Sequence, residues 1–299
     1  MSFLRVVRII GLALLIVTAA NVPATAASRG WLVHWQPQRL VNGSPTALRV
    51  SVPAHLESLS GKWLEHDVHF SFDTQGNFWY AIAGVPLETV PRKYALTLQG
   101  KASSGKEYSF QQAIPVGKGK YRQIKITVPK QFTEPSPEQL KQIEEDKELK
   151  HRVFAKSEPG REWTGDFLPP VGAAISDVFG TARVFNGETQ SVHQGLDFGV
   201  PQGTAVKALN RGKVVLAQPL FFEGGFVVLD HGQGLMSMYM HLSKIEVKEG
   251  DIVSRGQQLA LSGGTGRATG PHLHIAVRWE GVYLDPAVLL RLDLPNPSP

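Results

Sequence analysis

Gly270-Pro271-His272-Leu273-His274-Ile275-Ala276-Val277-Arg278 places two histidines at the head of an apolar run. Side chains two apart on a strand project to the same face, so His272 and His274 look the same way. This run is the last of several in the C-terminal half. Others span 205–208, 212–217, 226–230, 235–240 and 258–261, with glycines clustered between them. Glycines between strands mark turns that need positive φ. Residues 161–299 are therefore expected to form an antiparallel β-sheet unit.

Outward from this unit, residues 129–160 change character. Ser136-Pro137 precedes a charged stretch, 138–156, where Leu140, Ile143, Leu149 and Val153 form a thin apolar stripe among Glu and Lys. Ser136 is placed to cap a helix with Pro137 at its first position. Such a polar helix is expected on a surface, as a linker between separable folding units. Residues 28–128 read as β again. Short runs at 46–52, 68–72, 78–82, 94–98, 108–114 and 123–128 are separated by turn clusters such as Asp73-Thr74-Gln75-Gly76-Asn77. That spacing predicts an immunoglobulin-like β-sandwich. His55, His66 and His69, scattered among polar residues, read as surface or packing histidines. The expected fold class is all-β: a β-sandwich, a charged helical linker and a C-terminal antiparallel sheet.

Residues 1–27 are set apart. Arg5 and Arg8 precede an apolar run at 9–20, and small residues follow through Ala27. This is the layout of a secretory signal peptide cleaved after Ala26 or Ala27. The apolar run is about 12 residues, short of the ~20 needed to span a bilayer. No cysteine follows it to carry a lipid anchor. An exported protein of the periplasm or cell wall is expected.

The chain has Cys 0, which removes disulfides and thiolate metal sites. A metal must then be held among 10 His and 26 acidic residues. The 299 residues, 42% hydrophobic and 19% charged, suffice for two globular cores. The net charge is +5; without Arg5 and Arg8 the basic count falls from 31 to 29 and the charge to +3. That mild excess suits an anionic cell wall and is too small and scattered to point to nucleic acid.

Three separated segments hold most of the second half's histidines: His193-Gln194-Gly195-Leu196-Asp197, Tyr239-Met240-His241-Leu242 and the opening Gly270-Pro271-His272-Leu273-His274. Tyr239 and His241 are two apart on what reads as a neighbouring strand, so alternation gives them a shared face. Imidazoles converging on one side of a sheet suit a metal with an adjacent catalytic base. Catalytic zinc takes about three protein ligands and keeps one position open. A strand pair of histidines alone is weak evidence, because such pairs are more often incidental.

Taken together and in this order, the segments resemble the lysostaphin and LytM-type zinc peptidases of family M23. That family carries H-x-x-x-D, then a hydrophobic-x-H-L segment, then H-x-H. Val178-Phe179-Gly180 with Arg183 and Asn186-Gly187 is similar to the family's lead-in to the first motif. Gly203-Thr204-Ala205-Val206 and Gly212-Lys213-Val214-Val215 resemble its first hairpin. Lys248-Glu249-Gly250-Asp251 and Gly256-Gln257-Gln258-Leu259 resemble its barrel turn, and Tyr283-Leu284-Asp285-Pro286 its close. The resemblance covers about residues 163–290. It implies a LytM-type catalytic sheet, Zn²⁺ held by His193, Asp197 and His274, and His241 and His272 as catalytic histidines. The implied substrate is a peptide bond of bacterial peptidoglycan. Two neutral imidazoles and one carboxylate leave Zn²⁺ a net +1 charge, which lowers the pKa of a bound water toward ~7. His241 and His272 are then placed to move protons or stabilise an oxyanion, and the sequence does not divide those roles. Tyr239 is a candidate for substrate contact, with packing on its strand as the alternative.

Other features weigh less. A zinc-free scaffold that binds the wall is the alternative of a different class; such relatives usually miss some of the five positions, all filled here. His231, in Asp230-His231-Gly232-Gln233-Gly234, reads as a structural residue of a hairpin turn. Gly263-Gly264-Thr265-Gly266 lacks the Lys and Ser/Thr of a phosphate loop and reads as a turn at a groove rim.

Overall fold

The computed structural model describes residues 30–126, 134–185 and 189–296. The expected signal peptide, the Asn186-Gly187 pair and the end of the run predicted at 123–128 lie outside the described residues.

The N-terminal half contains β1 (Leu32–Gln36), β2 (Pro45–Ser51), β3 (Ser58–Trp63), β4 (His66–His69), β5 (Ser71–Asp73), β6 (Phe78–Gly84), β7 (Arg92–Lys101) and β8 (Glu107–Val116). They form two four-stranded antiparallel sheets, ordered β1-β2-β6-β5 and β4-β3-β7-β8. Alternation drives the burial: β3 buries Leu59, Gly61 and Trp63 and exposes the residues between them. The run predicted at 68–72 is two strands. It breaks at Phe70, with β4 in one sheet and β5 in the other.

The chain continues through β9 (Gln123–Ile126), α1 (Pro137–Phe154), β10 (Ile175–Asp177), β11 (Ala182–Phe185), β12 (Thr189–Val192), β13 (Leu196–Phe198), β14 (Ala205–Lys207) and β15 (Gly212–Leu220). It ends in β16 (Gly224–Asp230), β17 (Leu235–Leu242), β18 (Lys244–Ile245), β19 (Ile252–Val253), β20 (Gln258–Leu261), β21 (Leu273–Trp279), β22 (Val282–Leu284) and α2 (Pro286–Leu289). The main sheet runs β10-β13-β21-β17-β16-β15-β19, with β22 paired to the far end of β21. All its pairings are antiparallel. Two three-stranded sheets flank it, β14-β20-β18 and β12-β11-β9; in the second, β9 is parallel to β11.

The two faces of the main sheet are used differently. Leu273, Ile275, Val277 and Trp279 of β21 enter the main core together with Tyr239 and Leu235. The other face carries a smaller cluster of Leu216, Leu220, Phe226, Val228, Met236, Met238 and Ala276. Helix α1 lies over this cluster through Leu149, Val153 and Phe154. Its start follows the sequence: Ser136 accepts from Gln139 N while the Gln139 side chain accepts from Ser136 N. The helix has no fully buried residue, as its polar sequence implies. It is more than a spacer, however. Asp146 Oδ2 accepts from Phe221 N at 2.7 Å, and Lys150 pairs with Glu223.

The two halves also touch directly. Their buried residues form one continuous core. Tyr80 of the sandwich meets Trp163 edge-on at 5.7 Å, and His66 packs on Trp279 at 5.5 Å. Asp285 N donates to Gly43 O at 2.8 Å, and Arg49 pairs with Asp293 at 3.0 Å. A Cβ on Gly84 would lie 2.5 Å from Leu284 Cδ2, so β6 meets β22 without room for a side chain. This contact is larger than a polar linker helix suggests, because the sequence pattern of α1 says nothing about surfaces that bypass it. Among the described residues, no helix is long and apolar enough to cross a membrane.

Candidate active site

His193 follows directly on β12, and Asp197 sits in the middle of β13. β13 pairs with β21 so that Asp197 lies opposite His274. Three ligand atoms therefore converge. His193 Nε2 is 3.0 Å from Asp197 Oδ1 and 3.0 Å from His274 Nδ1, and the latter two are 2.7 Å apart. All three residues are buried. Gly195 makes the convergence possible: a Cβ there would lie 2.4 Å from His274 Nε2 and 2.3 Å from Ile275 O. The glycine inside H-x-G-x-D is thus required by the ring of a histidine from a remote motif.

The donor chemistry fits a metal ion. His193 Nδ1 lies 2.9 Å from Val178 O, and a carbonyl only accepts. Nδ1 thus carries the proton and Nε2 presents a lone pair. That lone pair faces a carboxylate oxygen, an arrangement that repels unless positive charge lies between them. Metal bonds of 2.0–2.1 Å in a tetrahedron set ligand atoms about 3.3 Å apart, close to the spacing here. A metal ion or a proton on the rings can supply that charge: burial raises the Asp197 carboxyl, but hydrogen bonds and charge from His193 and His274, when protonated, outweigh it and hold its pKa well below the usual range. The carboxylate form that a metal requires is the stable one.

His241 and His272 stand beside this triangle. Their ring centroids are 4.7 Å apart, and His241 is 6.0 Å from His274. His272 and His274 share a face, as the two-residue spacing predicts. His241 arrives differently. Between the pairs Gly225–Leu242 and Val227–Tyr239, Met240 and His241 together oppose the single residue Phe226, which is a β-bulge. His241 has φ 61, a left-handed conformation that is strained for a residue with a Cβ. Its N–H is held by Glu223 O at 2.8 Å. The bulge swings the imidazole onto the face that carries His274.

Tyr239, before the bulge, keeps the regular alternation and points the other way. It is fully buried in the main core, and its hydroxyl accepts from Leu209 N at 2.8 Å and lies 3.1 Å from Ser237 Oγ. The expectation that Tyr239 and His241 share a face fails, and with it the assignment of Tyr239 to substrate contact. The packing alternative holds. Ser237 also bonds His231 Nε2 at 2.8 Å, while His231 Nδ1 lies 2.7 Å from Arg211 O. Burial pushes His231 down to about 4, which keeps it a neutral member of this core network.

His241 Nδ1 lies 2.8 Å from Thr265 O, and His272 Nδ1 lies 2.8 Å from Gly270 O. Both carbonyls fix the tautomer, so each Nε2 is left as an acceptor. Burial, reinforced by the nearby His274 and His272 rings, pushes His241 down to about 3. These residues line a groove of about 660 Å³. Its walls include groups that the three histidine motifs do not contain: Arg122 and Ile124 from the segment after the sandwich, Asp177, Lys150 of α1, Glu223, Arg267 and Tyr283. In the glycine-rich 263–266 stretch, Thr265 Oγ1 accepts from Gly225 N and donates to Leu242 O, and the residues that follow it, Arg267 to Gly270, line the groove.

The sequence model of Peptidase family M23 matches residues 191–286, the stretch that carries all three histidine motifs. A solved structure of a candidate peptidase M23 from Pseudomonas aeruginosa is 31% identical. It aligns over 84% of this chain and 95% of its own, with a TM-score of 0.64. The chain belongs to peptidase family M23. Curated relatives within M23 include Peptidoglycan DD-endopeptidase ShyA of Vibrio cholerae, 52% identical over 82 residues, 27% of this chain. ShyB of the same organism, also a Peptidoglycan DD-endopeptidase, is 42% identical over 103 residues, 34% of this chain. The matched stretches span only 19% and 24% of those two relatives. The M23 likeness to the Pseudomonas chain reaches well beyond the matched motifs and takes in much of the N-terminal half.

Proposed function

We propose that this chain is an exported zinc metalloendopeptidase that hydrolyses peptide bonds in bacterial peptidoglycan. The observation that carries the reading is one open groove in which a buried His–Asp–His triangle adjoins two histidines with free Nε2 lone pairs. His193, Asp197 and His274 are the proposed ligands. Zn²⁺, when bound, polarises the scissile carbonyl and lowers the pKa of a water toward ~7. His241 and His272 do the proton work. Each has its Nδ1–H tied to a carbonyl, so each Nε2 is free to take a proton from the attacking water and pass one to the leaving amine. The curated M23 relatives named as peptidoglycan endopeptidases support the substrate class.

The test uses the full chain. Purified protein is expected to hold one zinc per chain and to release peptide fragments from purified peptidoglycan without opening glycan strands. A chelator should abolish the release and added zinc should restore it. Absence of bound zinc, or intact peptide cross-links after incubation, would reject the reading.

A further inference from the structure

His193 is held by main chain as well as ring. Its N–H donates to Thr181 O and its O accepts from Gly180 N, both at 2.8 Å. Its Nδ1 faces Val178 O at 2.9 Å and Asp177 Oδ2 at 3.2 Å. All of these partners lie within residues 177–181. That short segment is itself gripped by residues of the stretch that follows the sandwich. Arg122 Nη2 meets Asp177 Oδ1 at 2.5 Å, Arg122 Nε approaches Thr181 Oγ1 at 3.4 Å, and Arg122 O accepts from Ala182 N at 2.8 Å. The ring of Tyr121 covers Gly180 so closely that a Cβ there would be 1.9 Å from Tyr121 Cδ1. The Tyr121 hydroxyl in turn bonds Asn42 O in the sandwich half.

We infer that Arg122 is a positioning residue for His193, acting through Asp177. The inference rests on the reading of His193 as a metal ligand. Asp177 divides its carboxylate between two tasks. Oδ1 takes Arg122, Thr181 Oγ1 at 3.0 Å and Val178 N at 2.9 Å, while Oδ2 faces the imidazole. The guanidinium spans both Asp177 and Thr181, a bridge that suits its planar fork. It thereby sets the angle at which Oδ2 meets the ring, and so the direction of the Nε2 lone pair. Outer partners of this kind orient a ligand histidine and raise its basicity. The residue comes from outside the stretch matched by the family model, from the segment that joins the sandwich to the catalytic half.

The test is zinc affinity of the full chain, measured by chelator competition, with the thermal midpoint of zinc-free protein as the control for folding. Arg122→Ala should weaken zinc binding about 10-fold or more, the usual scale for an outer partner. Arg122→Lys should recover part of that loss, because an ammonium reaches Asp177 but cannot also bridge Thr181. Asp177→Asn should weaken zinc as well, and the double variant Arg122→Ala with Asp177→Asn should be no weaker than Asp177→Asn alone. If Arg122→Ala fails to fold, Arg122→Lys replaces it in the comparison and in the double variant. Wild-type zinc affinity in the Arg122 variant, or additive losses in the double variant, overturns the inference. A wild-type chain without stoichiometric zinc overturns the ligand reading instead, so the two failures are distinct.

Discussion

β17 and β21 lie side by side, and each brings a histidine to the groove by the opposite means. On β21 the alternation is regular: His274 faces the groove and its neighbours Leu273 and Ile275 enter the core. On β17 the alternation is broken at its end. Met240 and His241 share one opposing residue, and only the left-handed turn at His241 carries its ring to the same side as His274. A regular strand places a functional group without strain. A bulge stores strain to place one where alternation would not.

Substitutions at the two positions should separate these roles. The largest effect is expected at His274. His274→Ala should lose both zinc and turnover, whereas His241→Ala should keep its zinc and lose roughly 10²-fold in rate. Zinc stoichiometry measured beside turnover decides this, and zinc loss in the His241 variant would break the contrast. Next in size is Tyr239→Phe, which probes the regular part of β17. It leaves Leu209 N without its acceptor in a dry core, which should cost about 1–3 kcal/mol in denaturant unfolding. Its turnover should match the parent, and a fall in kcat would return Tyr239 to the groove. The smallest effect is a reversal of sign. In zinc-free protein, His241→Gly should be more stable than His241→Ala by about 1 kcal/mol, because alanine also resists positive φ. At His274, within a regular strand, glycine should be the less stable of the two by about 0.5–1 kcal/mol. The same order at both positions would show that His241 is not strained.

The contrast also marks what was legible in the sequence. Each histidine motif is contiguous, and the spacing of His272 and His274 translates directly into a shared face. The bulge is invisible because nothing in Tyr239-Met240-His241 announces positive φ; a glycine would have, but the position needs an imidazole. In the second half β14 to β17, β20 and β21 were readable from their apolar runs. β10 to β13, β18, β19 and β22 were not, since they are two to four residues long, with too little apolar sequence to show a period. In the sandwich, β3 was missed because Ser58, Ser60, Gly61 and Lys62 dilute its alternation to two apolar residues, Leu59 and Trp63. The support behind His193 was hidden for a different reason. Val178 serves through its carbonyl, which any residue has, and Arg122 lies far away in sequence. The thin stripe of α1 correctly implied a surface helix, but separability does not follow from it, because Tyr80, Trp163 and Trp279 join the halves elsewhere.

The contact between Gly84 and Leu284 bears on how such a protein can change over generations. Gly84 ends a strand of the sandwich, and the atoms that a methyl group there would meet first belong to Leu284. The restriction is imposed by a leucine at the other end of the gene. Exchanging the sandwich for one from another lineage would transplant strands that had never met this leucine, so the graft succeeds only where the incoming surface is already bare at that point. At this contact the two halves are matched parts, and a side chain added on one side needs room made on the other.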